Sequence, residues 1–156
     1  MSTQPTVRIQ FTSDVIRVLG FPRAATSGAA GFDLYADIEQ AEILLPRERV
    51  LIATGMRMAI PSGWEGQIRP RSGLALKQGL TVLNAPATID SDYRGEVHVL
   101  LVNAGNDVAT IIPYERIAQL VFARVATPIF EIGELDETER GESGFGSTGT
   151  HDVKRK

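Results

Sequence analysis

Cysteine is absent from the 156-residue chain. Its absence excludes disulfides, thiolate metal sites and cysteine nucleophiles together, and it fits a reducing compartment such as the cytoplasm. Aromatic residues make up only 6%, so the core is expected to be built from Val, Ile, Leu and Ala. Histidine occurs only as His98 and His151, a pair that does not make a zinc site. No run approaches the roughly 20 apolar residues of a membrane helix. Met1 to Gln10 has no basic stretch followed by an apolar one, so neither a membrane partner nor a secretory signal is expected. Positive charge is not in excess either. The net charge is −3, with no basic patch, which argues against nucleic acid as a partner. A phosphate ligand would have to be met by a few local cations and backbone amides.

What is present suits one compact domain: 43% apolar and 22% charged residues. Val7, Ile9 and Phe11 alternate with polar residues as in a half-buried strand. Strands are also expected within Val50 to Ile60, Val97 to Val102 and Ile117 to Val125, with turn signals between them at Ser62-Gly63, Asn84-Ala85-Pro86 and Arg94-Gly95. Many short strands and no βαβ alternation predict an all-β sandwich or barrel. One short helix is expected, Ser72 to Gln78, stopped by Gly79. No repeat with a fixed period is evident. The tail is acidic, then rich in Gly, Ser and Thr, then basic, so the chain is read as a domain over 1–132 and a flexible arm over 133–156.

Each motif with chemical potential has a plainer reading beside it. Gly144-Phe145-Gly146-Ser147-Thr148-Gly149 matches G-x-G-x-x-G, but a dinucleotide fold needs a helix after it and the chain stops seven residues later. Gly141 to Thr148 has Walker A spacing with Ser147 where lysine is required. Convergent backbone amides, two hydroxyls and Arg140 can still grip an anion; the plainer reading is a linker. Ser72, after Pro70-Arg71 and before Gly73, is either a helix N-cap or part of a phosphate site. In Asn84 to Gly95, NAPATIDSDYRG reads as a hairpin in which Asp90 follows Ile89. A half-buried carboxylate there would suit a general base; an Asx-turn formed by Asp90 and Asp92 is the alternative. Asp33, between Phe32 and Leu34, either faces a hydrated magnesium ion or points to solvent. Gln119 is a satisfied core amide or a ligand contact.

The order and identity of these stretches carry more than any one of them. AGFDLYA at 30–36, PRSGLALK at 70–77, NAPATIDSDYRGE at 84–96, RIAQLVF at 116–122 and RGESGFGSTG at 140–149 resemble the five motifs of the trimeric all-β dUTPases. The resemblance implies a jelly-roll-like β-barrel with one short helix, a homotrimer and active sites shared between subunits. It implies hydrolysis of dUTP to dUMP and pyrophosphate, which supplies dUMP and limits uracil incorporation into DNA. Asn84 and the backbone of Thr88, Ile89 and Asp90 would read uracil, with a peripheral backbone contact near His98. Tyr93 would pack beneath the sugar and exclude a 2′-hydroxyl. Asp90 would prime a water for attack on the α-phosphorus. Arg71, Ser72 and Gly73 would hold the phosphates, Ser72 near the α–β bridging oxygen, and Gln119 would meet the α-phosphate region. Mg²⁺ would chelate the triphosphate, with Asp33 touching it through water. From the arm, Phe145 would stack on uracil, while Arg140, Gly146, Ser147 and Thr148 close over the nucleotide.

One position departs from the family: glycine is usual where this chain has Ala87, and alanine there would be strained if the site needed a positive φ. Two other readings stand beside this one. A dCTP deaminase of the same fold would carry glutamate in the hairpin, where this chain has Asp90-Ser91-Asp92-Tyr93. A non-catalytic trimeric scaffold would be expected to have lost Asp90, Ser72 or Phe145, and all three are present.

Overall fold

The alternating apolar pattern becomes antiparallel sheet in the computed structural model of the chain, in which residues 4–19 and 24–144 are described. The elements among them are β1 (Arg8–Phe11), α1 (Asp14–Leu19), β2 (Phe32–Tyr35), β3 (Glu42–Leu44), β4 (Arg49–Ala59), β5 (Trp64–Pro70), α2 (Ser72–Gln78), β6 (Leu80–Val82), β7 (Ala87–Ile89), β8 (Glu96–Asn103), β9 (Ala109–Ile111) and β10 (Arg116–Arg124). The strands form two four-stranded sheets, ordered β1-β4-β8-β6 and β2-β10-β5-β7, and a β3-β9 ribbon. The chain divides into two units, Met1–Ala126 and Thr127–Lys156. No helix among the described residues is long and apolar enough to cross a membrane.

Both sheets and the ribbon feed one core. Ile52, Met56, Val99 and Leu101 come from the first sheet, Leu34, Ile68 and Leu120 from the second, and Leu44, Ala109 and Ile111 from the ribbon. Aliphatic side chains dominate it, as the scarcity of aromatics predicts. Phe32, Trp64 and Phe122 are only partly buried and pack against it.

Several local expectations change. A second helix, α1, joins the one expected. Its DVIRVL sequence is rich in β-branched residues and reads as strand, yet Ser13 Oγ accepts the Ile16 N–H at 3.3 Å, and Arg17 pairs with Asp14 at 3.0 Å. The N-cap of α2 is Arg71, in extended backbone and with no side-chain cap bond, so Ser72 is the first helical residue and not the cap. Gly79 ends α2 at φ 68°, donating its N–H to Ala75 O. A repeat also emerges. Leu45-Pro46-Arg47-Glu48 and Ile112-Pro113-Tyr114-Glu115 form matching turns, with positive φ at Arg47 and Tyr114. In each, the glutamate carboxylate accepts the N–H of the first residue, at 2.8 and 3.2 Å. Two isolated copies make no period, which is why a search for periodicity misses them.

The segment read as a hairpin is more elaborate. β6 and β8 are antiparallel partners, but the chain between them crosses to the other sheet, where β7 pairs with β5: Ile89 opposite Gly66, Thr88 opposite Gln67, Ala87 opposite Ile68. Ala87 and Ile89 point into the core and Thr88 points out. Ala87 has no positive φ, so the strain that a left-handed backbone would bring is absent.

Candidate active site

Three strands and α2 surround an open cleft of about 680 Å³. β2 contributes Asp33, β10 contributes Arg116 and Gln119, β5 contributes Arg69, the turn into α2 contributes Arg71, and α2 contributes Ser72, Gly73 and Lys77. Antiparallel register explains the convergence. β10 lies between β2 and β5, so Gln119 stands opposite both Asp33 and Arg69. The Gln119 amide donates to Pro70 O at 2.9 Å, which fixes it against the turn. Gly31 lies beside it, and a Cβ there would push the Gln119 amide oxygen from its present position.

The electrostatics of the cleft oppose those of the chain. Arg69, Arg71, Lys77 and Arg116 line the cleft together with a single carboxylate, Asp33, although the whole sequence carries −3. Asp33 is held on both oxygens: Arg71 Nε lies 3.1 Å from Oδ1 and Arg116 Nη1 lies 3.2 Å from Oδ2. Arg71 Nη1 also donates to the Arg116 carbonyl at 3.0 Å. This partial neutralisation leaves a net positive hollow suited to a polyanion. Among the described residues no group of three or more His, Cys, Asp or Glu converges on a metal position. A lone carboxylate of this kind fits a cation that brings most of its ligands with a phosphate chain and water.

The residues of the second candidate region gather elsewhere. None of Asn84, Thr88, Ile89, Asp90, Tyr93 or His98 lines the cleft. Asp90 is exposed and not half-buried. Its turn is closed by the backbone, Tyr93 N–H to Asp90 O at 3.2 Å, and among the described residues no side-chain bond of Asp90 or Asp92 makes an Asx-turn. The Asp90 carboxylate makes no hydrogen bond or ion pair among the described residues. The Tyr93 hydroxyl donates to Glu96 O at 2.9 Å, which lays the ring across Gly95; a Cβ on Gly95 would strike that ring. His98 is exposed, and its Nδ1 lies 3.0 Å from Glu96 O.

Strand register separates the two regions within one chain. With Ile89 opposite Gly66, Asp90 falls beside Glu65, five residues along β5 from Pro70, where the turn into α2 begins. At about 3.3 Å per residue that stretch is roughly 17 Å long. Arg140, within the second unit, donates Nε–H to Ser143 O at 3.0 Å. Phe145, Gly146, Ser147, Thr148 and His151 lie outside the described residues. Arg69 and Arg116 are not apparent from sequence because an arginine on a strand ordinarily marks a solvated face. The partner of Arg116 is 83 residues away.

Comparison with known proteins gives a consistent result. The dUTPase family model matches residues 19–149. The deoxyuridine 5′-triphosphate nucleotidohydrolase of Fusobacterium nucleatum is 53% identical over 138 residues, covering 86% of this chain and 94% of that protein. That of Caulobacter vibrioides is 56% identical over 134 residues, covering 84% and 86%. Among solved structures, the Staphylococcus bacteriophage 80alpha dUTPase with dUPNHPP superimposes with a TM-score of 0.81 at 27% identity, covering 93% of this chain and 99% of that one. A phage phi11 dUTPase, whose structure details coordination of a structural Mg(II) ion, shares the fold with a TM-score of 0.70 at 22% identity.

Proposed function

Since the chain belongs to the dUTPase family, we infer that it hydrolyses dUTP to dUMP and pyrophosphate, supplying dUMP and limiting uracil incorporation into DNA. One observation carries the division of labour within the site: a cationic cleft and a carboxylate without a partner among the described residues stand at opposite ends of β5. The cleft of one copy takes the phosphate chain, and Asp90 of another copy supplies the base. Such sharing requires an oligomer, here a homotrimer.

Asp90 takes a proton from a water, whose oxygen bonds to the α-phosphorus as the bond to the α–β bridging oxygen breaks. The pyrophosphate leaving group gathers negative charge, which Arg71 and the Ser72 hydroxyl oppose from the cleft. Gln119, anchored on Pro70, orients the α-phosphate region. Asn84 and the backbone of Thr88 to Asp90 read the base edge. The Tyr93 ring, fixed by its bond to Glu96, lies where a 2′-hydroxyl would clash. Arg140 and the segment with Phe145, Gly146, Ser147 and Thr148 close over the nucleotide and exclude water. Residues 133–156 form that arm and 1–132 the catalytic domain. Asp33 would hold Mg²⁺ through water, and the ion would supply neutralisation of the triphosphate charge. A cytoplasmic location belongs to the same reading, and the lack of cysteine suits it.

A pyrophosphate-release assay with dUTP, dTTP, dCTP and UTP tests the activity. Turnover of dUTP alone is expected; ammonia release from dCTP, or no turnover of any nucleotide by the assembled protein, would overturn it.

A further inference from the structure

We propose that Arg116 is a positioning residue that sets the plane of the Arg71 guanidinium, acting through Asp33 and through its own carbonyl. The inference rests on the reading of the cleft as the phosphate end of the nucleotide site.

Three contacts close a ring. The Arg116 side chain holds Asp33 Oδ2 at 3.2 Å, Asp33 Oδ1 holds Arg71 Nε at 3.1 Å, and Arg71 Nη1 donates back to the Arg116 carbonyl at 3.0 Å. A guanidinium has five N–H donors in one plane. Two of those on Arg71 are engaged by this ring, which fixes the plane and leaves the others for a ligand. The strand itself is shaped for this role. The β10–β2 register shifts between Arg116 and Ala118, and such bulges re-aim a side chain. The Arg116 side chain is 51% exposed while that of Asp33 is 16% exposed, so the outer arginine adds little stability of its own, and binding measurements separate positioning from support of the half-buried carboxylate. Lysine cannot replace Arg116 fully, because an ammonium lacks the rigid fork.

Binding separates this role from a direct phosphate contact. Wild type, Arg116→Ala, Arg116→Lys, Asp33→Asn and the double variant Asp33→Asn/Arg116→Ala are titrated calorimetrically, with magnesium present, against a non-hydrolysable α,β-imido analogue of dUTP and against dUMP. Arg116→Ala is expected to weaken analogue binding about tenfold, the effect of one misdirected charge-assisted hydrogen bond, with dUMP binding little changed. Arg116→Lys should recover only part of the loss. The double variant should bind the analogue no worse than Asp33→Asn alone, since the two residues act in one chain of contacts. Multiplicative losses in the double variant would overturn the proposal in favour of direct contact. Equal weakening toward dUMP and the analogue would overturn it in favour of a general structural role. Failure of wild type to bind the analogue would instead sink the reading of the cleft, and this inference with it.

Discussion

Asp90 and Asn103 show how differently a polar side chain is treated in this protein. Asn103 is fully buried and completes three hydrogen bonds, from Nδ2 to Leu44 O and Asp107 O and from Gly105 N–H to Oδ1. Asp90 is exposed and unpartnered among the described residues. Replacing Asp90 by Asn is therefore expected to leave the denaturation midpoint unchanged and to cut kcat by about 10²- to 10⁴-fold, the usual worth of a general base. Unimpaired turnover would remove Asp90 from the mechanism. Gly95 acts through its neighbour. Gly95→Ala should push the Tyr93 ring off its seat on the backbone and raise kcat/KM for UTP relative to dUTP, by roughly tenfold if sugar exclusion is steric; an unchanged ratio would show that the ring does not discriminate. The sequence pointed to Asp90 because an acid follows the apolar Ile89. It could not point to Arg116, whose role exists only once β2 and β10 are paired.

At the scale of elements, short-range signals worked where they were strong. α2 occupies the expected span, and Gly79 stops it in the left-handed conformation. β1, β4, β8 and β10 fall on the predicted apolar stretches. α1 was hidden because two valines and an isoleucine in six residues favour strand, and the capping bond from Ser13 outweighs that propensity. β7 was hidden for a different reason: three residues carry too little pattern to reveal which sheet they join. The β4–β8 register shifts between Ala53 and Arg57, and Gly55 within that irregularity offers a test of local necessity. Gly55 has φ 68°, its carbonyl accepts from Thr12 and Ser13, and a Cβ there would lie 2.7 Å from Ile16 and 2.8 Å from Ser13. Gly55→Ala should destabilise the fold by about 2–4 kcal/mol, combining αL strain with overpacking. Chemical denaturation measures it, and a change under about 0.5 kcal/mol, the ordinary scatter of surface substitutions, would mean that the irregularity relaxes freely.

For the whole molecule, many short strands without βαβ alternation made the all-β class legible, and motif order along the chain made the activity legible. The separation of Asp90 from the cleft became visible only in the register of β5 with β7. The arm makes its own demand. A protein lacking residues 140–156 should sediment as the intact oligomer yet lose most of its dUTP turnover, on the order of 10²-fold or more if closure excludes water from the site. Full activity in that truncated protein would show that closure is dispensable.

The distance along β5 has a genetic consequence. If no subunit can furnish both the base and the phosphate grip of a single centre, two differently crippled proteins can rescue one another. Asp90→Asn and Arg71→Ala, each inactive alone, should regain activity after being unfolded together and reassembled in equal amounts. Random assortment leaves roughly a quarter of the centres with both groups intact. If each centre were self-sufficient, the reassembled mixture would stay as dead as its parents.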